Sequence, residues 1–412
     1  MFRSLLSYCL VLFAAWTMKC NCGKYSPQNK VRIFVAIITQ ILLFYAIMNV
    51  GIFMSCLEYL SNLVQSIGKA TSVATSALFG YVGSTDPACA PFDVKNSGYM
   101  FILAFQALAN VVLVSGLAAI LTYTRILPTI SRFVGYFFGA IFRSNDSIGM
   151  YGVSKMFFGQ MDSMLMIKSG SEYLVKHDMM TLMAMAFATS SAAVIPGYCG
   201  IISEVCPDAM RYIVSSNVIN VISVLLLCMI IEPFDRGGKA CHANPYNSFM
   251  SAMTTGINDG ARVWGGIVCT LLGMTALVAF GDNLISSISP DLSIRKICGW
   301  LAYPFVYMLD IPSHDREFVS QIFGTRVAIN EFLAFFDIAE YAKQYSLAPQ
   351  SIRTSVYLVN NFGNFAALGI TVSCFASMVP SLKKDILSVA YKAFLIGILA
   401  TFMTASLSNI IL

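Results

Sequence analysis

The chain has 412 residues, of which 57% are hydrophobic and only 11% are charged, and its formal net charge is +5. Soluble globular domains carry about 25% charged residues, so the composition excludes a soluble domain and predicts a protein that crosses a membrane several times. The small positive charge gives no indication of nucleic-acid binding, and the twelve cysteines lack the spacing of a metal site. Cys199 and Cys206 flank a predicted helix end, where a disulfide would require an oxidising compartment.

Apolar runs long enough to span a bilayer, about 17–25 residues, divide the first half of the chain. We predict spans near residues 5–18, 31–54 and 99–123. The runs 57–80 and 126–142 are more polar, so we predict helices that lie along the membrane surface. The loop between the first two spans, together with the first residues of the second span, carries four basic residues and no acidic residue, which predicts that this loop is cytoplasmic.

Two polar inserts interrupt the remaining apolar sequence at corresponding positions. Residues 153–162 contain a lysine, an amide and a carboxylate, and Asn330 and Glu331 lie in the second insert. A charged side chain at membrane depth costs about 2.5–3.5 kcal/mol on insertion scales, so it faces protein, water or a ligand. Each insert is followed by a span with a polar interruption, at 189–191 and at 360–364. The order of hairpin, broken helix and span therefore appears twice, which indicates an inverted repeat with its binding site at the breaks.

The predicted fold is an all-α polytopic membrane protein with about eight transmembrane helices and two re-entrant hairpins in an inverted repeat. Residues 1–143 are predicted to form a scaffold of spans 1–3 and interfacial helices. Residues 144–232 form the first repeat, with hairpin 1, broken span 4 and span 5. Residues 233–299 provide a polar connector, up to Arg262, and scaffold span 6. Residues 300–412 form the second repeat, in which 300–309 and 319–336 are the arms of hairpin 2, joined at 312–315.

The inserts supply the side chains that suit ligand binding. Gln160 offers a donor and an acceptor and Asp162 accepts two donors, a combination that suits the edge of a nucleobase; the alternative is a polar contact between helices. Glu331 suits the hydroxyl groups of a sugar, and the alternative is an ion pair with Arg326. Lys155 leaves several roles open: a permanent occupant of a cation site, a carrier of a coupling proton, a side chain that reaches the surface, or a partner of Asp162.

The motifs Phe158-Gly159-Gln160-Met161-Asp162, Val327-Ala328-Ile329-Asn330-Glu331-Phe332 and Phe362-Gly363-Asn364 resemble those of the concentrative nucleoside transporters, particularly the bacterial eight-span type. The resemblance covers roughly residues 101–412. It implies a homotrimer in the cell membrane, or the inner membrane in a bacterium. It also implies nucleoside import by alternating access with an elevator-like movement. The expected partners are the nucleoside, the lipid bilayer and a coupling cation, with no organic cofactor, structural metal or nucleic acid.

The resemblance assigns eight residues to the substrate. Those facing the base are Gln160, Met161, Asp162 and Val194, and those facing the ribose are Glu331, Phe362, Asn364 and Ala367. Met161 stands where the family has a hydroxyl, and Ala367 stands where it has a serine. These two departures leave open a transporter of the same fold that carries nucleotides, nucleobases or another metabolite.

The resemblance also places a cation site between the tip of hairpin 1, at Phe158, and the first broken helix, at Thr189 and Ser190. Lys155 stands there in place of an asparagine. Two unit positive charges 4 Å apart repel by roughly 4 kcal/mol at an effective dielectric near 20, so we expect proton coupling rather than sodium symport.

An enzyme that uses Asp162 and Glu331 as paired carboxylates is the alternative from another class. No base or metal-binding set accompanies the two acids, and no Walker motif, dinucleotide fingerprint or nucleophile elbow is present. We therefore expect that the protein is not an enzyme.

Overall fold

The structure is a computed structural model that describes residues 2–19, 27–84, 86–93, 102–106, 108–157, 160, 163–164, 174–234, 246–287, 289 and 292–412. Regular secondary structure within these residues is helical throughout, as the sequence predicts. Sixteen α-helices have described bounds: α1 Phe2–Thr17, α2 Pro27–Asn49, α3 Gly51–Phe79, α4 Asn110–Tyr123, α5 Ile126–Phe142, α6 Asp146–Phe157, α7 Lys176–Ala188, α8 Ile195–Ile202, α9 Ala209–Ile231, α10 Phe249–Ser286, α11 Ile294–Tyr307, α12 Arg316–Ala328, α13 Glu331–Tyr345, α14 Pro349–Val359, α15 Phe365–Met378 and α16 Lys383–Ile411.

Four helices of the described part are long and apolar enough to cross a membrane: Asn29–Asn49, Ala209–Ile231, Phe249–Ser286 and Pro380–Ile411. A fifth span results if α4 and α5, which meet at a bend of 77°, are counted together. Each broken helix consists of two apolar segments with a polar break between them, and each of these segments is shorter than a membrane span. The chain is therefore a multi-pass membrane protein.

The centre of the fold is formed by α9 and α16, which pack against each other and against α7. Polar side chains on these helices are bonded to one another within the core. Gln40 of α2 donates to Ser223 at 2.6 Å, and Thr404 of α16 donates to Asn220 at 2.6 Å. Asn220 in turn donates to the last carbonyl of α7, on Ala188, at 2.7 Å. Because buried polar groups are costly unless bonded, this network fixes the end of α7 next to the first break.

A second packed unit is formed by α4 and α10, which approach closely at small residues. A Cβ atom on Gly256 would lie 2.5 Å from Cβ of Ala119, and one on Gly260 would lie 2.8 Å from Cα of Val112. Glycines spaced four residues apart allow backbones to come this close in membrane proteins. The predicted polar connector up to Arg262 is wrong in its second part, since α10 begins at Phe249.

The physical reason for this early start is a helix cap. The hydroxyl of Ser248 accepts from the backbone N–H of Ser251 at 3.1 Å, and such a cap stabilises the first turn of a helix. The third predicted span also differs, since α4 begins at Asn110 and a turn over 103–106 precedes it.

Both predicted broken helices are present. Residues 189–194 separate α7 from α8, and residues 360–364 separate α14 from α15. A third break was not predicted, because the sequence places Asn330 inside one arm over 319–336. The chain instead breaks at 329–330, where the side chain of Asn330 accepts from the backbone N–H of Leu333 at 2.9 Å and caps α13. The polar turn at 312–315 joins α11 to α12 rather than the two sides of this break.

Candidate functional site

The two broken helices are bonded to each other inside the core. Ser190 of the first break donates its hydroxyl hydrogen to Oδ1 of Asn360 in the second break at 2.7 Å. Asn217 of α9 lies between them, and its Oδ1 accepts from the backbone N–H of Ser190 at 3.1 Å and from Nδ2 of Asn360 at 3.3 Å. Backbone that leaves a helix at membrane depth must be satisfied by protein or must line a cavity. These bonds satisfy it and hold the two breaks together.

Glu331, at the start of α13, is buried beside the second break. Its Oε1 accepts from the hydroxyl of Tyr198 on α8 at 3.2 Å, and its Oε2 accepts from Nδ2 of Asn364 at 3.1 Å. Asn364 also caps α15, since its Oδ1 accepts from the backbone N–H of Ala367 at 2.7 Å. One carboxylate thus connects a half-helix of the first repeat to a half-helix of the second.

The alternative ion pair between Glu331 and Arg326 is not formed among the described residues. Arg326 is fully buried on the last turn of α12, and none of its three guanidinium nitrogens has a hydrogen-bond partner there. The guanidinium lies over the ring of Phe323, with 5.5 Å from Cζ to the ring centroid. Glu331 acts on Arg326 electrostatically, without a hydrogen bond.

Lys155, on α6, is only 1% exposed, so its side chain does not reach the surface of the chain. Its ammonium lies 4.9 Å from the ring centroid of Phe362 in the second break. A cation over an aromatic face is attracted by the ring quadrupole, most strongly where water is excluded. The predicted partner Asp162 lies outside the described residues. Lys155 therefore joins the first repeat to the second through an aromatic ring.

Three consecutive residues of the second break each contact one buried charged side chain. Lys155 contacts Phe362, Arg326 contacts Gly363, and Glu331 is bonded to Asn364. The middle position favours glycine, because a Cβ atom there would lie 2.9 Å from Cζ and 3.2 Å from Nη1 of Arg326 and would displace the guanidinium. The second break is thus the point where the charged groups of both repeats converge.

The other predicted site residues are placed as follows. Gln160 is half-buried, and its Oε1 accepts from the hydroxyl of Thr371 on α15 at 3.3 Å. Val194 is buried immediately before α8, and Ala367 is buried in the first turn of α15. Thr189 is buried and donates to the carbonyl of Met185 at 2.8 Å. Phe158, Met161 and Asp162 lie outside the described residues.

Three polar residues at this site were not found from the sequence: Tyr198, Asn217 and Asn360. Asn217 lies near the start of the predicted span 212–231, where Ser215, Ser216 and Asn220 are also polar, and this polar cluster is the signal that the sequence offered. Asn360 lay inside the predicted interruption, but no role was assigned to it. Tyr198 gave no signal, because aromatic side chains are common in membrane helices.

Buried polar groups on paired helix breaks, in an all-α polytopic chain, are typical of membrane transport proteins. Residues 212–409 match the family model described as the C-terminus of Na⁺-dependent nucleoside transporters. The whole chain shares its fold with the solved structure of CNTnw in an inward-facing substrate-bound state, with a TM-score of 0.89, 20% identity and coverage of 100% of this chain and 98% of the other. The C-terminal part of the chain is thus similar to Na⁺-dependent nucleoside transporters, and the whole chain has the fold of CNTnw.

Two curated relatives indicate how far the similarity extends. The nucleoside permease NupC of Helicobacter pylori is 22% identical over 419 residues, which cover 99% of this chain and 97% of the permease. Solute carrier family 28 member 3 of Rattus norvegicus is 25% identical over 359 residues, which cover 80% of this chain and 50% of the carrier. The alignment thus spans about half the length of the mammalian relative and nearly all of the bacterial one.

Proposed function

We propose that the protein imports nucleosides across the cell membrane, which is the inner membrane if the source is bacterial. The observation that carries this proposal is the double hydrogen bond from Tyr198 and Asn364 to Glu331, where half-helices of the two repeats meet. A carboxylate fixed in this way is ready to exchange its protein donors for the two hydroxyl donors of a ribose. The resemblance assigns the same role to Glu331 and Asn364.

The base is proposed to bind on the side of the first repeat, against Gln160, Met161, Asp162 and Val194, with Phe362 and Ala367 beside the sugar. Support comes from Gln160, whose carbonyl oxygen is bonded to α15 of the second repeat. Since Gln160 contacts the second repeat and Glu331 contacts the first, a substrate between them touches both repeats at once. Such a site suits alternating access, in which the two repeats move together past a scaffold.

The movement is proposed to be elevator-like, with the mobile unit built from residues 144–232 and 300–412, including the two re-entrant hairpins. The closely packed pair α4 and α10 then belongs to the scaffold of a homotrimer. The remaining scaffold assignment, residues 1–143 and 233–299, stays the prediction from the sequence. Support for a single mobile unit comes from the bonds among Ser190, Asn217 and Asn360, which join both breaks.

Coupling is proposed to use protons rather than sodium. The resemblance puts Lys155 in the cation site together with Phe158, Thr189 and Ser190. In the structure Lys155 is buried on α6, and its ammonium lies over the face of Phe362. A fixed positive charge opposes the entry of a second cation. Replacement of external sodium by choline should leave uridine uptake unchanged, whereas collapse of the proton gradient should reduce it. A strict sodium requirement would contradict this part of the proposal.

The substrate site is tested by uptake of labelled uridine into proteoliposomes that contain the purified protein. Glu331→Gln and Gln160→Ala should each abolish saturable uptake while the protein still elutes as a single species in detergent. Glu340→Gln and Gln344→Ala are matched controls, because both residues are exposed on α13. Normal uptake by Glu331→Gln and Gln160→Ala would refute the assignment of the site.

A further inference from the structure

Buried donors on residues in and around the second and third breaks have no acceptor among the described residues. Arg326 is 0% exposed and its Nε, Nη1 and Nη2 lack partners among the described residues. Asn330 is 5% exposed, and its Nδ2 also lacks a partner, since the cap of α13 uses only Oδ1. The Nε2 of Gln160 is a further donor with no partner in the part of the chain that the structure describes. An unmade hydrogen bond to a buried donor is costly, most of all for a charged group, so such a cluster calls for a ligand that accepts.

The charged side chains around the second break carry more positive than negative charge. This excess favours an anion, as the unpaired N–H donors do. Lys155 and Arg326 contact adjacent residues of the second break, and Glu331 is the one carboxylate of the described residues that contacts this break. Both oxygens of Glu331 are already engaged by Tyr198 and Asn364. Asp162 is the other acid of the inserts and lies outside the described residues. Among the described residues, two cations and one carboxylate meet at this break, which is an excess of one positive charge.

The geometry around Arg326 suits an anion. Its guanidinium lies against Gly363, where the missing side chain leaves the backbone exposed to it. Helix α15 starts two residues further on, after its cap at Asn364, so the positive end of its dipole lies at the same break. A planar guanidinium donates two parallel hydrogen bonds to a carboxylate or a phosphate, which a point charge does not reproduce.

We propose that Arg326, supported by Lys155 and Asn330, forms an anion subsite beside the sugar-binding carboxylate, and that the preferred substrate is a nucleoside that carries a phosphate or carboxylate group. The proposal rests on the proposed function, since it places the anion on the transported nucleoside. The anion subsite differs from the proposed function in substrate class, because a neutral nucleoside would leave Arg326 and Asn330 without acceptors among the described residues in the bound state. A nucleoside monophosphate supplies the acceptors that both side chains lack.

The test is competition against labelled uridine uptake in proteoliposomes, with uridine, uridine 5′-monophosphate and inorganic phosphate as competitors. The monophosphate is expected to compete at least 10-fold more strongly than uridine. Arg326→Gln should lower that preference at least 10-fold, and Arg326→Lys should lower it less, because the charge is kept and the planar fork is lost. Arg316→Gln is the matched control on the same helix, since Arg316 contacts the Tyr307 ring and the carbonyl of Ile311 instead. It should leave the preference unchanged.

The outcomes separate this inference from the function on which it rests. Uptake of uridine with no preference for the monophosphate would overturn the anion subsite and leave nucleoside import standing. Absence of any saturable uptake of either compound would overturn nucleoside import itself. Competition by inorganic phosphate at the concentration of the monophosphate would keep the subsite and assign it to a free anion. If Arg326→Gln fails to elute as a folded species, Arg326→Lys decides: an unchanged preference in that variant overturns the proposal.

Discussion

A single added methyl group at Gly363 tests how tightly the second break is packed on Arg326. In Gly363→Ala the new Cβ would lie 2.9 Å from Cζ of Arg326 and 3.2 Å from Nη1. Carbon atoms pack at about 3.5–4.0 Å, so the guanidinium must move by at least about 0.6 Å. Arg326 is fully buried against Phe323 and has no free space at the surface to enter. Overpacking of this kind costs about 1–3 kcal/mol, which corresponds to about 5- to 150-fold in an equilibrium constant.

The variant should therefore unfold at a lower temperature in detergent, with an unfolding equilibrium constant raised about 5- to 150-fold. Gly369→Ala is the matched control within α15, since no atom lies within 4 Å of its added Cβ. In Gly363→Ala/Arg326→Gln the shorter side chain should recover part of the lost stability, as expected for two residues in contact. Equal stability of Gly363→Ala and Gly369→Ala would show that the guanidinium does not lie where we describe it.

Four further substitutions test other contacts. Tyr198→Phe removes one donor to Glu331 and should destabilise the fold by about 1–3 kcal/mol; an unchanged unfolding temperature would contradict the bond. Asn217→Ala should cost at least as much, because Ser190 and Asn360 lose a shared partner; wild-type uptake and stability would argue against linked breaks. Gly256→Leu should disrupt the α4–α10 contact and lower the folded yield, whereas Gly265→Leu, with nothing within 4 Å, should not. Glu204→Gln removes an exposed ion pair with Lys343 and should leave uptake and stability unchanged.

The elements that could be predicted from the sequence are those where polarity interrupts an apolar run. The breaks at 189–194 and 360–364 follow from hydroxyl and amide side chains inside otherwise apolar spans, and the structure places both there. The surface helix predicted over 126–142 has these bounds in the structure, because polar or left-handed residues end it on both sides. Local composition determines such features, so one sequence is enough to find them.

The features that the sequence did not predict depend on contacts between distant residues. The break at 329–330 lies in a run whose pattern continues from α12 to α13, and the sequence places Asn330 only in a polar insert within one hairpin arm, with no helix cap predicted there. The contact between Arg326 and Gly363 joins the last turn of α12 to the break between α14 and α15, so it depends on packing and not on spacing. The early start of α10 depends on one serine hydroxyl at Ser248. At Asn330 and Ser248 one side-chain oxygen sets the residue at which the helix begins, whereas average polarity predicts only that a boundary lies nearby.

The shared hydrogen bonds of Ser190, Asn217 and Asn360 restrict which substitutions the chain can accept during evolution. A substitution at one of these three positions alters the acceptors and donors seen by the other two, although they lie up to 170 positions apart. Neutral drift at one position is therefore permitted only in backgrounds that already carry a compatible neighbour. In a library of random double variants, these three positions should show strong epistasis, while exposed positions on α13 should mutate independently.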